Sequence, residues 1–329
     1  MTVAVTGSMA FDYIMSFPGK FAEHILPDQI EILSLSFLVD SMRRERGGCA
    51  GNIAYTLSMF DQPVLLMATV GQDAPEYIAS LNHQGVDTSG VLQLASDFTA
   101  SFFVSTDQVN NQIASFYTGA MAKAKQLSFA DQDYKNISIA IISPNDPEAM
   151  VKYAAECQQL GIPYIYDPSQ QIPRLTPEDL INGINGAKIL IINDYEYGMI
   201  KNRTGLSDAD IQGMVETVVI TQGEKGALIY TTEVGADGVA LLRELQAPAA
   251  RPTRIADPTG VGDAFRAGLI TGLMRRYPWE VSARMGALAA AYVLEQHGTQ
   301  RHRYSRQQFA DRYRQQFGDT IELQDFIGY

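Results

Sequence analysis

Residues 257–263 read Asp-Pro-Thr-Gly-Val-Gly-Asp, and an apolar helical pattern follows them directly. Two glycines let backbone N–H groups approach an anion, and the positive end of a helix dipole favours negative charge at the same point. A carboxylate is costly at an anion site unless it has a task, and the task we predict for Asp263 is to take the proton of an attacking hydroxyl. The shorter string Gly-x-Gly-Asp, taken alone, also fits a glycine turn in which Asp263 is an ordinary helix cap.

Short β-branched runs precede this stretch along the chain, mostly followed by segments with helical spacing. This pattern is typical of βα units that feed a parallel sheet. Residues 147–160 and 177–184 are predicted helices because each begins at a proline, and Gly161 ends the first. We therefore predict an α/β fold around a buried sheet. The candidate strands are residues 3–5, 64–70, 137–142, 164–166, 188–192 and 218–221.

Two segments interrupt the βα rhythm. Residues 31–39 alternate in hydropathy, and residues 101–105 and 113–117 carry aromatic side chains on either side of a turn at 110–111. These strands are too short to build a second core, so we predict a small β lid that projects from the main domain. The alternative is an antiparallel extension of the main sheet.

The C-terminal region has a different pattern. Residues 262–294 contain rows of small side chains and predict two closely packed helices. After Gln300 the sequence is polar and aromatic, which predicts a surface helix without chemistry.

Composition excludes several classes of protein. The chain has 25 Lys and Arg against 37 Asp and Glu, a formal net charge of −12, whereas a duplex nucleic-acid surface needs a basic footprint. Cys49 and Cys157 have no Cys or His at metal-ligand spacing, which fits a reducing compartment. No apolar run is long enough for a bilayer span, and the start lacks a basic region followed by an apolar one. We expect a cytoplasmic protein that binds neither nucleic acid nor membrane.

A second glycine motif, Gly47-Gly48-Cys49-Ala50-Gly51-Asn52, lies far upstream. Paired glycines let a ligand lie against the backbone, and Asn52, one turn into the following helix, offers a donor and an acceptor to a diol. Alone, the motif fits a tight turn before a helix equally well. Its occurrence in one chain with the Asp263 motif favours the functional interpretation.

Together, residues 47–54 and 257–263 resemble the two signatures of the ribokinase-like PfkB family of carbohydrate and nucleoside kinases. The resemblance covers nearly the whole chain and implies a three-layer α/β/α sandwich with a mainly parallel central sheet and a small β lid. It implies one kinase domain over residues 1–329, with the lid formed by about 14–45 and 98–120.

The same resemblance implies phosphoryl transfer from ATP, with Asp263 as the base and the backbone N–H groups of Gly260, Val261 and Gly262 as an anion hole. Val261 departs from the family, in which alanine is usual at this position. Because the anion hole acts through backbone groups, we expect the larger side chain to matter little.

On the acceptor side, the resemblance implies that Asp12, Asn52 and Gly48 bind two ribose hydroxyls, with Ser8 beside them. Ser8 and Asp12 follow the first predicted strand, where side chains reach the crevice at the carboxyl end of a parallel sheet. An acid in a loop after a strand is otherwise usually a solvated turn residue, so this role rests on the resemblance.

On the donor side, Asn193 and Glu196 match an Asn-x-x-Glu element that organises water around Mg²⁺ on the ATP phosphates. Mg²⁺ keeps several waters and needs few protein ligands. Helix capping by Asn193 is the alternative, and both roles can coexist. Thr221, Gly223 and Gly226 match a loop that bounds the nucleotide in the family. The P-loop string Gly-x₄-Gly-Lys-Ser/Thr is absent, and a monovalent cation such as K⁺ is left open as a further cofactor.

The acceptor is predicted from further strings, such as residues 35–40 and 145–150, that resemble the bacterial adenosine kinases of this family. A purine needs apolar faces to stack on, which Phe102 and Phe116 of the predicted lid supply. The side-chain amides of Gln170 and Gln171 are then predicted to form hydrogen bonds with the edge of the base. The two phenylalanines fit a role in holding the lid or a dimer interface equally well.

Arg174 is a second-rank candidate for contact with the γ-phosphate, because arginine suits phosphate geometry.

The resemblance further implies a homodimer formed through the lid. The competing interpretations are a sugar kinase of the same fold that acts on ribose or another furanose, a kinase for guanosine or inosine, and a nucleotide-sensing protein that has lost catalysis. A Rossmann dehydrogenase is disfavoured because no Gly-x-Gly-x-x-Gly follows the first strand.

Overall fold

The computed structural model describes residues 1–25, 34–234 and 240–328. Thirteen strands and ten α-helices are found in these ranges. The strands are β1 Thr2–Thr6, β2 Ala10–Ser16, β3 Ser41–Gly47, β4 Val64–Gly71, β5 Val91–Leu94, β6 Ala100–Thr106, β7 Gln112–Tyr117, β8 Ile137–Ile142, β9 Tyr164–Tyr166, β10 Ile189–Asn193, β11 Thr217–Thr221, β12 Ala227–Val234 and β13 Ala240–Ala247. The helices are α1 Cys49–Ser58, α2 Pro75–His83, α3 Pro147–Leu160, α4 Pro177–Ile184, α5 Asp194–Thr204, α6 Asp208–Met214, α7 Val261–Met274, α8 Trp279–Leu294, α9 Arg306–Phe317 and α10 Glu322–Gly328.

A nine-stranded sheet forms the centre, in the order β13-β12-β11-β10-β9-β8-β1-β4-β5. The strands from β11 to β5 are parallel, and β12 and β13 add an antiparallel edge. Strand β4 is buried at every position, as expected for a parallel strand covered on both faces. The six strands predicted from apolar runs all lie in this sheet and are confirmed.

Helices cover both faces of the central sheet. Successive residues of β1 point to opposite sides, so Val3 and Val5 pack into one core cluster and Ala4 into the other. Side chains of α1, α2 and α7–α10 join the first cluster, and those of α3–α6 join the second. This is the predicted three-layer α/β/α arrangement, and it brings the carboxyl ends of the parallel strands to one edge.

A second sheet of four strands, in the order β3-β2-β6-β7, stands apart from the central one. Strands β6 and β7 form the predicted hairpin, with Asn110 at a positive φ of 65° in its turn. The alternative of an antiparallel extension of the main sheet is therefore wrong. The strand expected at 31–39 is also wrong: residues 34–39 are not in a strand, and residues 31–33 lie outside the described ranges.

The C-terminal segment is more deeply buried than predicted. Helix α9 is polar overall, but it buries Phe309 and Tyr313, which stand one turn apart and pack into the first core cluster. One face of the predicted surface helix is thus core. Within the described ranges, no helix is both long and apolar enough to cross a membrane.

Candidate active site

The Asp257–Asp263 stretch forms a turn at the start of α7. Gly260 is the N-cap residue, with a φ of 78°, and the helix begins at Val261. The first amides of a helix have no intrahelical carbonyl partner. The N–H groups at the start of α7 therefore present partial positive charge beside the Asp263 carboxylate, as the sequence predicted.

Asp263 is partly buried and held by a neighbour from another helix. The Asn52 side-chain N–H donates to Asp263 Oδ2 at 2.8 Å. Burial raises the pKa of Asp263, while the Arg266 charge and hydrogen bonds from Asn52 and Cys49 oppose the rise. Such a carboxylate is a stronger base than one in water, which suits a group that accepts a proton from a hydroxyl.

A buried ion pair lies behind the turn. Arg266 is 7% exposed and Asp167 is 1% exposed; Arg266 Nη2 donates to Asp167 Oδ1 at 2.6 Å, and Nε contacts Oδ2. Burial disfavours the guanidinium charge, but the Asp167 carboxylate outweighs this effect and raises the pKa of Arg266. A Cβ added at Gly262 would lie 2.8 Å from Arg266 Nη1, so a permanent cation flanks the glycine turn.

Gly48 starts the helix that carries Asn52. It has a φ of 86°, and a Cβ there would lie 2.5 Å from the Ser8 carbonyl oxygen, so only glycine fits without strain. Ser8 is buried, and its hydroxyl oxygen accepts the Cys49 N–H at 3.1 Å. In this structure Ser8 therefore caps the start of α1.

The Asn52 amide is engaged on both sides. Its Oδ1 accepts from Thr299 Oγ1 at 2.7 Å and from Gln300 Nε2 at 3.0 Å, while its N–H₂ group faces Asp263. We expected both donor and acceptor to serve a diol, but the acceptor is bound by the protein. Thr299 and Gln300 were missed because they lie in a stretch without a recognisable motif.

Asp12 lies in strand β2 and not in the loop that the sequence suggested. Its register partners are Glu45 on β3 and Phe102 on β6. Burial, followed by the charges of Asp257, Glu45 and Asp263, raises the pKa of Asp12 to about 6. Several carboxylates thus converge on this side of the turn.

Phe102 and Phe116 lie in the same cross-strand row as Asp12. Phe102 is paired with Asp12 on one side and with Phe116 on the other. Directly paired residues point to the same face of a sheet. Phe116 is 49% exposed. The two rings therefore follow the carboxylate in one row, on one accessible face of the second sheet.

A cavity of about 910 Å³ opens on the other side of the glycine turn. It brings together the turn and all five residues predicted for the donor side. Its lining includes Asn193, Glu196, Thr221, Gly223, Gly226, Gly260, Val261, Gly262, Asp263 and Arg266. Asp263 therefore stands between this cavity and the Asn52–Asp12 side.

Gln170, Gln171 and Arg174 lie in a 3₁₀ helix, Ser169–Arg174, and do not line the cavity. Gln170 is exposed, whereas Gln171 is buried and its Oε1 accepts from Arg174 Nη1 at 3.4 Å. The base-edge role of the two glutamines concerns the acceptor side and not this cavity, so it stays a prediction, as does the contact of Arg174 with the γ-phosphate.

Asn193 and Glu196 form a reciprocal capping box at the start of α5. Asn193 Oδ1 accepts the Glu196 N–H at 2.7 Å, and Glu196 Oε2 accepts the Asn193 N–H at 2.9 Å. Glu196 Oε1 also accepts from Ser169 Oγ at 2.9 Å. The capping alternative is observed, and the Glu196 carboxylate still faces the cavity.

The described residues hold no cluster of three or more Asp, Glu, His or Cys side chains that would enclose a metal ion. Mg²⁺ bound to nucleotide phosphates keeps most of its waters and needs only one or two carboxylates. Glu196 in the cavity wall therefore fits a metal brought in with phosphates, and not a resident one.

The loop after β11 closes the cavity. Gly226 has a φ of 93°, and a side chain there would overlap the Ala247 carbonyl oxygen on the neighbouring strand. Only glycine allows the backbone to pass this close. Thr221 ends β11, so the predicted Thr-x-Gly-x-x-Gly loop is held at the cavity rim.

A pfkB family carbohydrate kinase model matches residues 13–304, which is most of the chain. The chain belongs to this family. It is therefore a phosphotransferase whose acceptor is a hydroxyl group, as predicted.

Several relatives of this pfkB kinase carry a more specific name. The structure of a nucleoside kinase from Burkholderia thailandensis in complex with inosine superposes with a TM-score of 0.83, at 36% identity over 96% of this chain and 98% of that one. The same enzyme has been solved in complex with ADP-inosine, at 37% identity. A nucleoside kinase from Methanocaldococcus jannaschii is 27% identical over 91% of this chain and 92% of its own length.

Proposed function

We propose that this pfkB kinase is an ATP-dependent nucleoside kinase that transfers the γ-phosphate to the 5′-hydroxyl of adenosine, giving AMP and ADP. The observation that carries the proposal is the position of Asp263 between a large cavity and a carboxylate- and aromatic-lined face. A phosphoryl donor and a hydroxyl acceptor must meet at such a point. The similarity to nucleoside kinases supports a nucleoside as the acceptor.

The proposal assigns the cavity to ATP. Its phosphates lie at the start of α7, where the N–H groups of Gly260, Val261 and Gly262 stabilise the transferring phosphoryl group. The Arg266 guanidinium beside Gly262 adds positive charge without facing bulk water. Mg²⁺, when bound, neutralises phosphate charge, and Asn193 and Glu196 hold its water shell.

The proposal assigns the opposite side to the nucleoside. Asp12 accepts from the two ribose hydroxyls, with the Asn52 amide and the Gly48 backbone beside it. Asp263 takes the 5′-hydroxyl proton as that oxygen attacks the phosphorus in line. Because the transition state of phosphoryl transfer is largely loose, positioning and charge stabilisation contribute more than basicity.

A nucleoside is favoured over a free sugar by the aromatic pair. Phe102 and Phe116 share a face with Asp12, so a base attached to the ribose meets two rings. A free sugar has no flat base to stack on these rings. Adenosine rests on the resemblance alone, and inosine, guanosine or another nucleoside is the second candidate, since one relative is solved with inosine.

An acceptor panel tests this function. ADP release is measured with Mg·ATP and adenosine, guanosine, inosine, ribose or fructose. We expect nucleosides, adenosine foremost, to drive ADP release about 5- to 150-fold faster than either sugar at equal concentration, because one base stacked on an aromatic ring contributes about 1–3 kcal/mol. Faster release with ribose or fructose would contradict the nucleoside assignment.

Two matched variants test whether Phe116 contacts the nucleoside. Phe116→Ala is expected to raise the KM for the nucleoside about tenfold and to leave the KM for ATP unchanged. Tyr117→Ala is the control, because Tyr117 is the next residue of β7, is 47% exposed and points to the other face. Equal effects of the two variants would remove Phe116 from the acceptor site.

We further propose that the second sheet is the lid and that two copies of the chain pair through it. On the face opposite Phe116, its described strands expose Met42, Phe103, Ile113 and Tyr117 by 38–62%. An apolar surface of this kind is typical of an interface.

Light scattering after size exclusion tests the dimer. We expect twice the chain mass of 36.1 kDa for the wild type and a monomer for Ile113→Glu. Leu242→Glu, at an equally exposed apolar position on β13, is expected to stay dimeric. A monomeric wild type contradicts the proposal.

A further inference from the structure

The Asn52 amide lies at the centre of a network that reaches well beyond the acceptor side. Its N–H₂ group donates to Asp263, and its Oδ1 accepts from Thr299 and Gln300. Asn52 is 4% exposed and Thr299 is 3% exposed, so the contacts are shielded from water. A buried amide of this kind has little freedom to find other partners.

Two donors on one side of the amide determine which way it points. Gln300 Nε2 can only donate, so it requires the oxygen of Asn52, and the Thr299 hydroxyl donates to the same oxygen. The N–H₂ group then faces Asp263. If the amide turned over, its oxygen would face the Asp263 carboxylate and its N–H₂ group would face the Gln300 N–H₂ group. The orientation useful to Asp263 is thus set from the far side of Asn52.

Thr299 also touches the end of the second sheet and the glycine turn. Its Oγ1 lies 2.8 Å from the Arg46 carbonyl oxygen of β3 and 2.7 Å from Asn52 Oδ1. A hydroxyl has one hydrogen, so these two acceptors share it. A Cβ added at Gly260 would lie 2.8 Å from the Thr299 methyl group, so Thr299 packs directly on the turn.

Gln300 reaches the same strand by a second route. Its Nε2 donates to the Tyr77 hydroxyl, which in turn donates to the Gly47 carbonyl oxygen at 2.9 Å. The carbonyl groups at the end of β3 are therefore held by the same two residues that orient Asn52.

We infer that Thr299 and Gln300 are positioning residues: they hold the Asn52 amide with its N–H₂ group toward Asp263 and couple this orientation to the end of strand β3. The inference rests on the proposed role of Asp263 as the base. The proposed function assigns neither residue a contact with the substrates. They act by keeping a donor on the carboxylate, so that it is ionised and correctly placed when the acceptor hydroxyl arrives.

The pH at which Asp263 titrates is the property that tests this inference. Besides Asn52, the groups that interact with its charge include Arg266 and Asp167 behind the turn, Asp12 on β2, the Cys49 thiol at the start of α1 and the Tyr77 hydroxyl on α2. The Asn52 hydrogen bond stabilises the ionised form and lowers the pKa of Asp263 against the effect of burial. Losing this bond must move the titration of Asp263 to higher pH.

The experiment compares Thr299→Val, which keeps shape and loses the hydroxyl, with the wild type. The first measurement follows the ¹³C signals of the aspartate carboxyl groups against pH in the substrate-free protein, with Asp263 assigned by its loss in Asp263→Asn. We expect the Asp263 titration to move to higher pH in Thr299→Val. The second measurement is turnover, for which we expect kcat to fall about 5- to 100-fold with the KM for ATP unchanged.

Three further variants test the assignment. Gln300→Met keeps side-chain length and removes the second donor, so it should shift the titration in the same direction. Thr299→Ser keeps the hydroxyl and should restore wild-type behaviour. Thr56→Val is the matched control, because Thr56 is 1% exposed and bonds the backbone carbonyl of Asn52 and not its amide.

Wild-type titration of Asp263 in both Thr299→Val and Gln300→Met overturns the inference, and so does an equal shift in Thr56→Val. Because the titration needs no turnover, this result is separate from the proposed function. A wild-type protein that phosphorylates no acceptor refutes the function alone.

Discussion

Asp263→Asn is expected to lower kcat by about 10²–10⁴ and to leave nucleoside binding nearly unchanged. Asparagine has the same shape but cannot take a proton, and a positioned general base typically contributes this factor. The glycine turn and Arg266 stay in place to stabilise the phosphoryl group. Steady-state kinetics gives kcat, and calorimetric titration with ATP and with nucleoside confirms that both sites are intact.

Turnover above about a tenth of the wild-type rate would exclude Asp263 as the base. A loss of binding equal to the loss of turnover would assign it instead to holding the acceptor. The two measurements therefore separate proton transfer from positioning.

Arg266→Met is expected to lower the free energy of unfolding by about 3–5 kcal/mol, because it leaves the Asp167 carboxylate buried without its partner. Asp167 is 1% exposed, so water cannot replace the guanidinium. Chemical denaturation monitored by circular dichroism measures the change.

The double variant Arg266→Met with Asp167→Leu is the control. Replacing both charges by apolar side chains is often neutral for stability, so most of the loss should be recovered. Because Arg266 flanks Gly262, we expect kcat to stay low even when stability returns. Recovery of both stability and turnover would restrict the pair to a structural role.

Much of the central fold was predictable because its signals are local. Strand β4 is apolar apart from Thr69 and is buried throughout. Helix α3 begins at Pro147 and ends at Gly161, whose φ is 70°, and α4 begins at Pro177 after a Thr176 capping box. Proline and glycine fix backbone angles by their own covalent structure, so the bounds of both helices agree with the prediction.

The second sheet was only half predictable. The β6–β7 hairpin carries aromatic residues and a turn signal, but β3 reads Ser-Met-Arg-Arg-Glu-Arg-Gly and is largely exposed. An exposed edge strand buries no regular face and so shows no apolar alternation. The prediction therefore placed the strand at 31–39, where the sequence is apolar, and left Asp12 in a loop.

The residues of the site were also only partly predictable from the sequence. Asp263, Asn52, Glu196 and the glycines come together as their motifs indicated. Arg266, Thr299 and Gln300 were missed because their contacts span 99 to 248 positions along the chain. Apart from Asp263, Arg266 is the one charged residue of α7, and this was the one local sign of a buried pair. The roles of Gln170, Gln171 and Arg174 rest on their chemistry and stay predictions.

Product identification tests the central claim most directly. The protein is incubated with Mg·ATP and either adenosine or 5′-deoxyadenosine, and the products are separated and identified by mass spectrometry and ³¹P NMR. Our account predicts 5′-AMP in equal amount to ADP with adenosine, and no phosphorylated nucleoside with 5′-deoxyadenosine. ADP release without phosphorylated nucleoside, or phosphate on any other position of the ribose, would contradict it.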